Sequence, residues 1–352
     1  MHRLSDVRYR TRRLLMSETS NIRTPGAATL EQLVADADQG GRTVGRLTMH
    51  KPLVQAPLPV REGVAPSRVF LPPGPWATVL EFLEARYHHL PEGLLRARMT
   101  RGDIVDSTGR PQAVDEPYRP RQWLWYYREV DDEPILPDAL PVLFRDALLV
   151  VVDKPHFLAT APAGRHVRDT VLTRLRRDLD LPRLTPVHRL DRETAGVLVF
   201  CADPARRGAY QTLFQRREVA RVYEAVAPWT DRLRFPLTHK SRLVNGREFL
   251  MQEEAGTPNS ETYIERVRKT AAGQALYRLY PVSGRKHQLR VHLAALGMPI
   301  LDDELYPVLL PQRAADNFQQ PLQLLARSIA FTDPVTGQVR AFSSQRRLQQ
   351  DI

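Results

Sequence analysis

The chain of 352 residues has a single cysteine, Cys201. It cannot form an internal disulfide, and Cys-rich zinc sites and redox pairs are excluded with it. A reducing compartment is expected. No stretch approaches 18 uninterrupted apolar residues, and the first 30 residues carry arginines without an apolar signal core. A membrane span and an export signal are therefore not expected, and the protein reads as cytoplasmic. Lysine is scarce too, limited to Lys51, Lys154, Lys240, Lys269 and Lys286, yet Lys and Arg together outnumber Asp and Glu by 51 to 40, a net charge of +11. Arginine carries that excess, and its planar fork suits phosphate and base edges. A large polyanion is the favoured partner, nucleic acid first. Apolar residues at 42% allow a packed core, the length allows two or three domains, and 29 prolines imply irregular joints between them.

Residues 1–65 read as a basic, disordered tail. Arg3, Arg8, Arg10, Arg12 and Arg13 crowd its start, polar residues dilute the rest, and a short helix fits only 28–37. From Trp76 the spacing of Val79, Leu80 and Leu83 predicts a helix, and a second fits 92–99. Strands are predicted at 101–106, 108–110 and 122–127. This order across 66–130 resembles the small S4-type RNA-binding module, whose basic face would carry Arg96, Arg98 and Arg101; a plain structural lead-in is the alternative. The acidic, proline-rich stretch 131–141 reads as a linker. With that linker included, an α+β domain spans 131–345, with strands expected at 147–152, 196–201, 220–227, 261–267 and 275–280. Helices are expected at 204–214, at 287–296 with Gly297 as its stop, and after Asp169 as N-cap, with Val171, Leu172 and Leu175 inward.

Three polar clusters interrupt this domain. In Val187-His188-Arg189-Leu190-Asp191-Arg192-Glu193-Thr194-Ala195-Gly196, cations on either side of Asp191 favour the charged carboxylate that a nucleophile needs, although an Asp–Arg pair merely tying a loop is the commoner cause of such a cluster. Val282-Ser283-Gly284-Arg285-Lys286-His287-Gln288-Leu289-Arg290-Val291-His292 gathers cations at a helix start and suits an anion. His287 and His292 are five apart with no intervening glutamate, which disfavours a metallohydrolase. Arg221-Val222-Tyr223-Glu224-Ala225 places Tyr223 in a strand, where most tyrosines simply pack.

In combination, Asp153-Lys154-Pro155, His188-Arg189-Leu190-Asp191 with Thr194 and Gly196, Tyr223-Glu224-Ala225, and Gly284 to His292 followed by Gly297, Pro299, Asp303 and Tyr306 closely resemble the RluA-type pseudouridine synthases over about 140–345. Ala195 and Asp302 depart from the family pattern, which has Ser and Gly there. The resemblance implies a pseudouridine synthase catalytic domain with a mixed, mostly antiparallel sheet, isomerising a uridine of 23S rRNA or tRNA. It further implies Asp191 as nucleophile, either attacking the sugar or assisting formation of a glycal, Arg290 paired with it, Tyr223 stacking on uracil and able to take a proton, and Leu289 as the opposite wall. Arg189 would fill the gap left by the flipped base, with Arg285, His188 and His287 also binding substrate. RNA is the implied partner of a monomer, with no cofactor, metal or membrane. A noncatalytic RNA-binding or ribosome-assembly protein of the same fold is the alternative, and the presence of Asp191, Tyr223 and Arg290 argues against it. A nuclease or phosphoryl-transfer enzyme would need clustered carboxylates or a Gly-rich phosphate loop, and neither appears in the sequence.

Overall fold

The computed structural model describes residues 56–129, 133–270, 273–311, 314 and 316–349. Of the expected tail at 1–65, residues 1–55, including the short helix at 28–37, lie outside the described residues, whereas 56–65 are ordered against expectation: Arg61 and Val64 bridge each other, and the Tyr127 hydroxyl donates to the Pro59 carbonyl. From Leu58 onward the chain packs as one unit.

Its first part pairs strand β1 (Ser67–Phe70) antiparallel with β2 (Trp123–Tyr126), and helices α1 (Val79–Arg86) and α2 (Leu94–Thr100) cover them. Val69, Leu71, Leu80, Phe82, Leu83, Leu95, Met99, Ile104 and Leu124 form its core. The partner of β2 was not expected. The predicted strands at 101–106 and 108–110 shrink to isolated bridges from Val105 to Pro111 and to Trp125. Arg98 also departs from expectation: it is buried and donates to the Tyr127 carbonyl, because its position on α2 faces the core. Arg101 is tied to Asp103 and Glu129, which leaves Arg96 exposed. The presumed linker is fixed as well. Buried Glu133 accepts the amides of Val167, Arg168 and Asp169.

The remainder is built on an 11-stranded sheet. Strands β3 (Val142–Arg145), β4 (Leu149–Lys154) and β5 (Thr185–Pro186) precede β6 (Ala195–Cys201), then β7 (Val219–Pro228), β8 (Leu237–Asn245) and β9 (Met251–Glu254). They are followed by β10 (Ser260–Lys269), β11 (Gln274–Pro281), β12 (Leu324–Thr332) and β13 (Val339–Ser343). The spatial order is β3-β4-β6-β12-β7-β11-β10-β8-β9, with β5 on β6 and β13 on β12. Among the strands of the described residues only β6 and β12 pair in parallel, so the sheet is mixed and mostly antiparallel.

At its centre the sheet is covered on both sides. Val150 and Val152 of β4 face helix α3 (Val171–Asp178), whereas Leu149 and Val151 face α4 (Arg207–Gln215). That is why β4 and β6 read as unbroken apolar runs. Helix α5 (Gln288–Ala295) packs Leu289 and Leu293 on Ala225, Ile264, Tyr277 and Leu279. The N-cap of α3 is Thr170, whose hydroxyl accepts the Thr173 amide, and not Asp169. Asp169 instead binds Arg174 at 2.6 Å and the Leu136 amide at 2.8 Å, anchoring the segment that leads into the sheet.

Candidate active site

Asp191 sits in the turn that feeds β6, and the segment after β4 clamps that turn residue by residue. Thr160 Oγ1 donates to the Leu190 carbonyl at 2.8 Å, and His156 Nδ1 donates to that of Glu193 at 2.6 Å. Lys154 Nζ donates to the carbonyls of Leu158 (2.7 Å), Pro155 (3.0 Å) and Arg192 (3.0 Å). Three carbonyls match the three N–H bonds of an ammonium. Burial pulls the Lys154 pKa down to about 7, against the opposing charges of Glu193 and Asp191. Asp153, next in line, accepts Ser344 Oγ at 2.7 Å and the Gln345 amide at 2.8 Å. The Asp-Lys-Pro motif thus acts as the frame on which the Asp191 turn is fixed.

Helix α5 approaches from the other side. Gln288 accepts Ser283 Oγ and the Arg285 amide, and donates to the Glu261 carbonyl and Thr262 Oγ1. His292 is fully buried among the hydroxyls of Ser241, Ser260 and Thr262. These bonds seat the helix on β8 and β10 and orient Arg290, which is 1% exposed. Its guanidinium makes a bidentate pair with Asp303, Nε at 2.8 Å and Nη2 at 2.6 Å, and not primarily with Asp191. Nη1 has no hydrogen-bond partner among the described residues and lies 3.7 Å from Asp191 Oδ2. Burial opposes the Arg290 charge, but hydrogen bonds and charge from Asp303 outweigh it, and the pKa is raised. Asp303 was visible in the sequence only as part of a resemblance, because no periodicity links it to Arg290.

Between the two walls lies a cavity of about 210 Å³ lined by Arg189, Asp191, Tyr223, Arg285, His287, Leu289 and Arg290, among others. Seven of the eight expected site residues therefore meet there. His188 does not: its ring stacks on Phe214 at 4.8 Å, and Nε2 accepts the Val199 amide, turning it into the sheet. Burial pushes its pKa down to about 3. Arg189 is exposed at the rim. Tyr223 enters from β7, half-buried; burial raises the phenol pKa, the Arg221 cation opposes this and Asp191 adds to it, so the hydroxyl stays protonated at neutral pH. Arg221 and Tyr306 stand in the motifs quoted from the sequence but were given no role there. Arg221 donates to the carbonyls of Pro281 and Ser283, pinning the loop that carries Arg285. Glu193, beside Asp191, would be raised by burial, but the Arg192 and Arg290 cations hold it below the usual carboxylate range.

Among the described residues, His239, Glu253 and His292 bring one potential metal ligand each within 4.8 Å of one another. His239 Nε2 already bonds Glu253 at 2.7 Å, and both nitrogens of His292 are held by hydroxyls, so the group reads as a hydrogen-bonded staple between β8, β9 and α5. No helix of the described residues is long and apolar enough to cross a membrane.

One carboxylate beneath a buried guanidinium, faced by a tyrosine and rimmed by exposed arginines, suits nucleophilic chemistry on a polyanion. Residues 148–295 match the family model described as RNA pseudouridylate synthase. The chain is 34% identical over 209 residues to the dual-specificity RNA pseudouridine synthase RluA of Salmonella typhi, covering 58% of this chain and 91% of that one. Against the protein of the same name from Escherichia coli (strain K12) it is 35% identical over 212 residues, 58% of this chain and 92% of the other. Among solved structures, Human RNA Pseudouridylate Synthase Domain Containing 1 aligns at a TM-score of 0.48 and 21% identity, over 61% of this chain and 86% of that one. The chain belongs to the RluA-type RNA pseudouridine synthases, isomerases that convert uridine in RNA to pseudouridine.

Proposed function

We propose that this enzyme modifies a uridine in a short structured loop of 23S rRNA or of a tRNA anticodon arm, working as a cytoplasmic monomer without a metal, with Asp191 as its nucleophile. The single observation that carries the assignment is Asp191 in the cavity with the unpartnered Arg290 Nη1 3.7 Å from its Oδ2. That placement pairs a carboxylate with a cation in a partly desolvated pocket. Asp191 opens the N1–C1′ bond, the uracil turns over, C5 joins C1′, and the proton leaving C5 is balanced by one gained at N1. The names of the curated relatives, dual-specificity RNA pseudouridine synthases, support a range of more than one RNA.

The 210 Å³ cavity holds one base and not a duplex step, so the uridine must be extruded at a cost of a few kcal/mol, least in a small loop. Arg189 at the rim is placed to fill the vacated gap. Tyr223 and Leu289 form the two walls of the base pocket, with the protonated phenol available as a donor. Arg285, and Arg96 of the 66–130 module, are exposed and suit phosphate contacts.

The test is Asp191→Asn, assayed by tritium release from RNA labelled at uridine C5. Loss of turnover with RNA affinity kept is expected; turnover above a few per cent of wild type ends the assignment. A map of carbodiimide-sensitive uridines in cells with and without the protein identifies the target.

A further inference from the structure

Asp191 has two carboxylate oxygens, and two cationic or imidazole groups converge on one of them. Arg290 Nη1 is 3.7 Å from Oδ2, and His287 Nε2 is 4.0 Å from that same oxygen. Both separations exceed a hydrogen bond. What aims the imidazole is its other nitrogen, since His287 Nδ1 lies 2.8 Å from the Tyr306 hydroxyl, and the rings meet edge-on at 5.6 Å. The Tyr306 oxygen also accepts the Met251 amide at 2.8 Å. An amide only donates, so the hydroxyl's single hydrogen is left for another acceptor. Tyr306 is 7% exposed, and among the described residues that acceptor is His287 Nδ1. With Nδ1 accepting, the neutral ring carries its hydrogen on Nε2, pointed at Asp191.

The ring is neutral near pH 7. Burial lowers the His287 pKa, the Arg290 and Lys286 cations lower it further, and Asp191 and Asp303 only partly oppose them. The Tyr306 ring lies beneath the Arg290 guanidinium as well, 5.6 Å from its carbon, so one tyrosine borders both groups that face Oδ2. His287 holds its place with φ +54°, a left-handed conformation that asparagine tolerates better than other non-glycine residues.

We propose that Tyr306 and His287 are positioning residues for the nucleophile: Tyr306 fixes the Nε2–H tautomer of His287, and His287 with Arg290 grips Oδ2 of Asp191 once RNA closes the cavity, so that Oδ1 alone attacks. The proposal rests on Asp191 being the nucleophile. Contacts of this kind tighten when substrate expels water, and a hydrogen bond to a charged group that forms only then appears in the rate and not in affinity.

The test uses the full chain and three variants. Tyr306→Phe keeps the ring and loses the hydroxyl, His287→Ala removes the donor, and His287→Asn retains an N–H donor at a backbone angle it accepts. Single-turnover rates should fall about tenfold for Tyr306→Phe and more for His287→Ala, with RNA affinity within twofold of wild type. His287→Asn should recover a substantial part of the His287→Ala loss. Long-range proton–nitrogen spectra of the wild type should show His287 protonated at Nε2, and that signature should be lost in Tyr306→Phe. Protonation at Nδ1 in the wild type overturns the proposal, as does a wild-type rate for His287→Ala or a loss that appears in RNA affinity alone. An inert Asp191→Asn beside normal His287 and Tyr306 variants sinks only the relay, whereas an active Asp191→Asn sinks the nucleophile assignment.

Discussion

Replacing Arg290 with methionine removes the guanidinium that neutralises Asp303 and faces Asp191, and the two consequences can be measured apart. Asp303 is buried, and among the described residues its remaining hydrogen-bond partners are the amides of Leu305 and Tyr306, both at Oδ1. Breaking a buried pair by deleting one partner costs about 3–5 kcal/mol, because the remaining charge stays desolvated. Against a total stability of roughly 5–15 kcal/mol, the variant should remain folded at 25 °C but melt about 6–20 °C lower. Adding Asp303→Asn removes the stranded charge and should restore at least half of that loss. Activity should not follow. At 3.7 Å and an effective dielectric near 20, the Asp191–Arg290 attraction is roughly 4 kcal/mol, and neither variant restores it. Urea unfolding followed by circular dichroism reads the first effect and tritium release the second. A single variant within about 1 kcal/mol of wild type, or a double variant that regains turnover together with stability, would refute this account of Arg290.

Tyr223→Phe keeps the stacking surface, so RNA binding should hold; if the protonated hydroxyl takes part in the rearrangement, single-turnover rates drop at least tenfold, and a normal rate leaves Tyr223 a packing residue. Acid should unfold the protein well above the carboxylate range. His156 and His292 are pushed down to about 4 and His188 to about 3 by burial, so below pH 6.5 the unfolded chain binds protons that the native state refuses, and stability falls as pH falls. At pH 5 each contributes a loss of about 2 kcal/mol, visible as a lower urea midpoint than at pH 8; an unchanged midpoint contradicts the buried neutral imidazoles. Gly196→Ala should cost about 3 kcal/mol or more, since φ is +111° and an added Cβ would stand 2.2 Å from the Ala326 carbonyl oxygen, and a cooperative melt within 3 °C of wild type would disprove that crowding.

Where neighbouring residues decide the outcome, the sequence alone was enough. The apolar runs of β4 and β6 are unbroken because both faces of the sheet are covered there, and α5 begins and ends where its left-handed His287 and Gly297 allow. The Asp191 turn, Tyr223 and the Arg290 helix were readable as spaced motifs, and the left-handed Asp302, φ +60°, stands where the family pattern has glycine. Tertiary structure decided the rest. Strand β12 escaped because its register shifts between Ala326 and Ser328, placing Arg327 against Glu224 in the middle of an apolar run. Strand β8 escaped because its exposed positions carry Lys240 and Arg242, charges that local propensity reads as loop. Arg98 and His188 look like surface cations in a string of letters, yet one faces the core of α2 and the other stacks into the sheet. The partner of Arg290 could not be read locally either, since Asp303 is 13 residues away and a buried charge is satisfied by whichever group the fold brings to it. Spacing along the chain records which groups an enzyme keeps, but the choice among possible partners for each charge is made only when the core closes and water leaves.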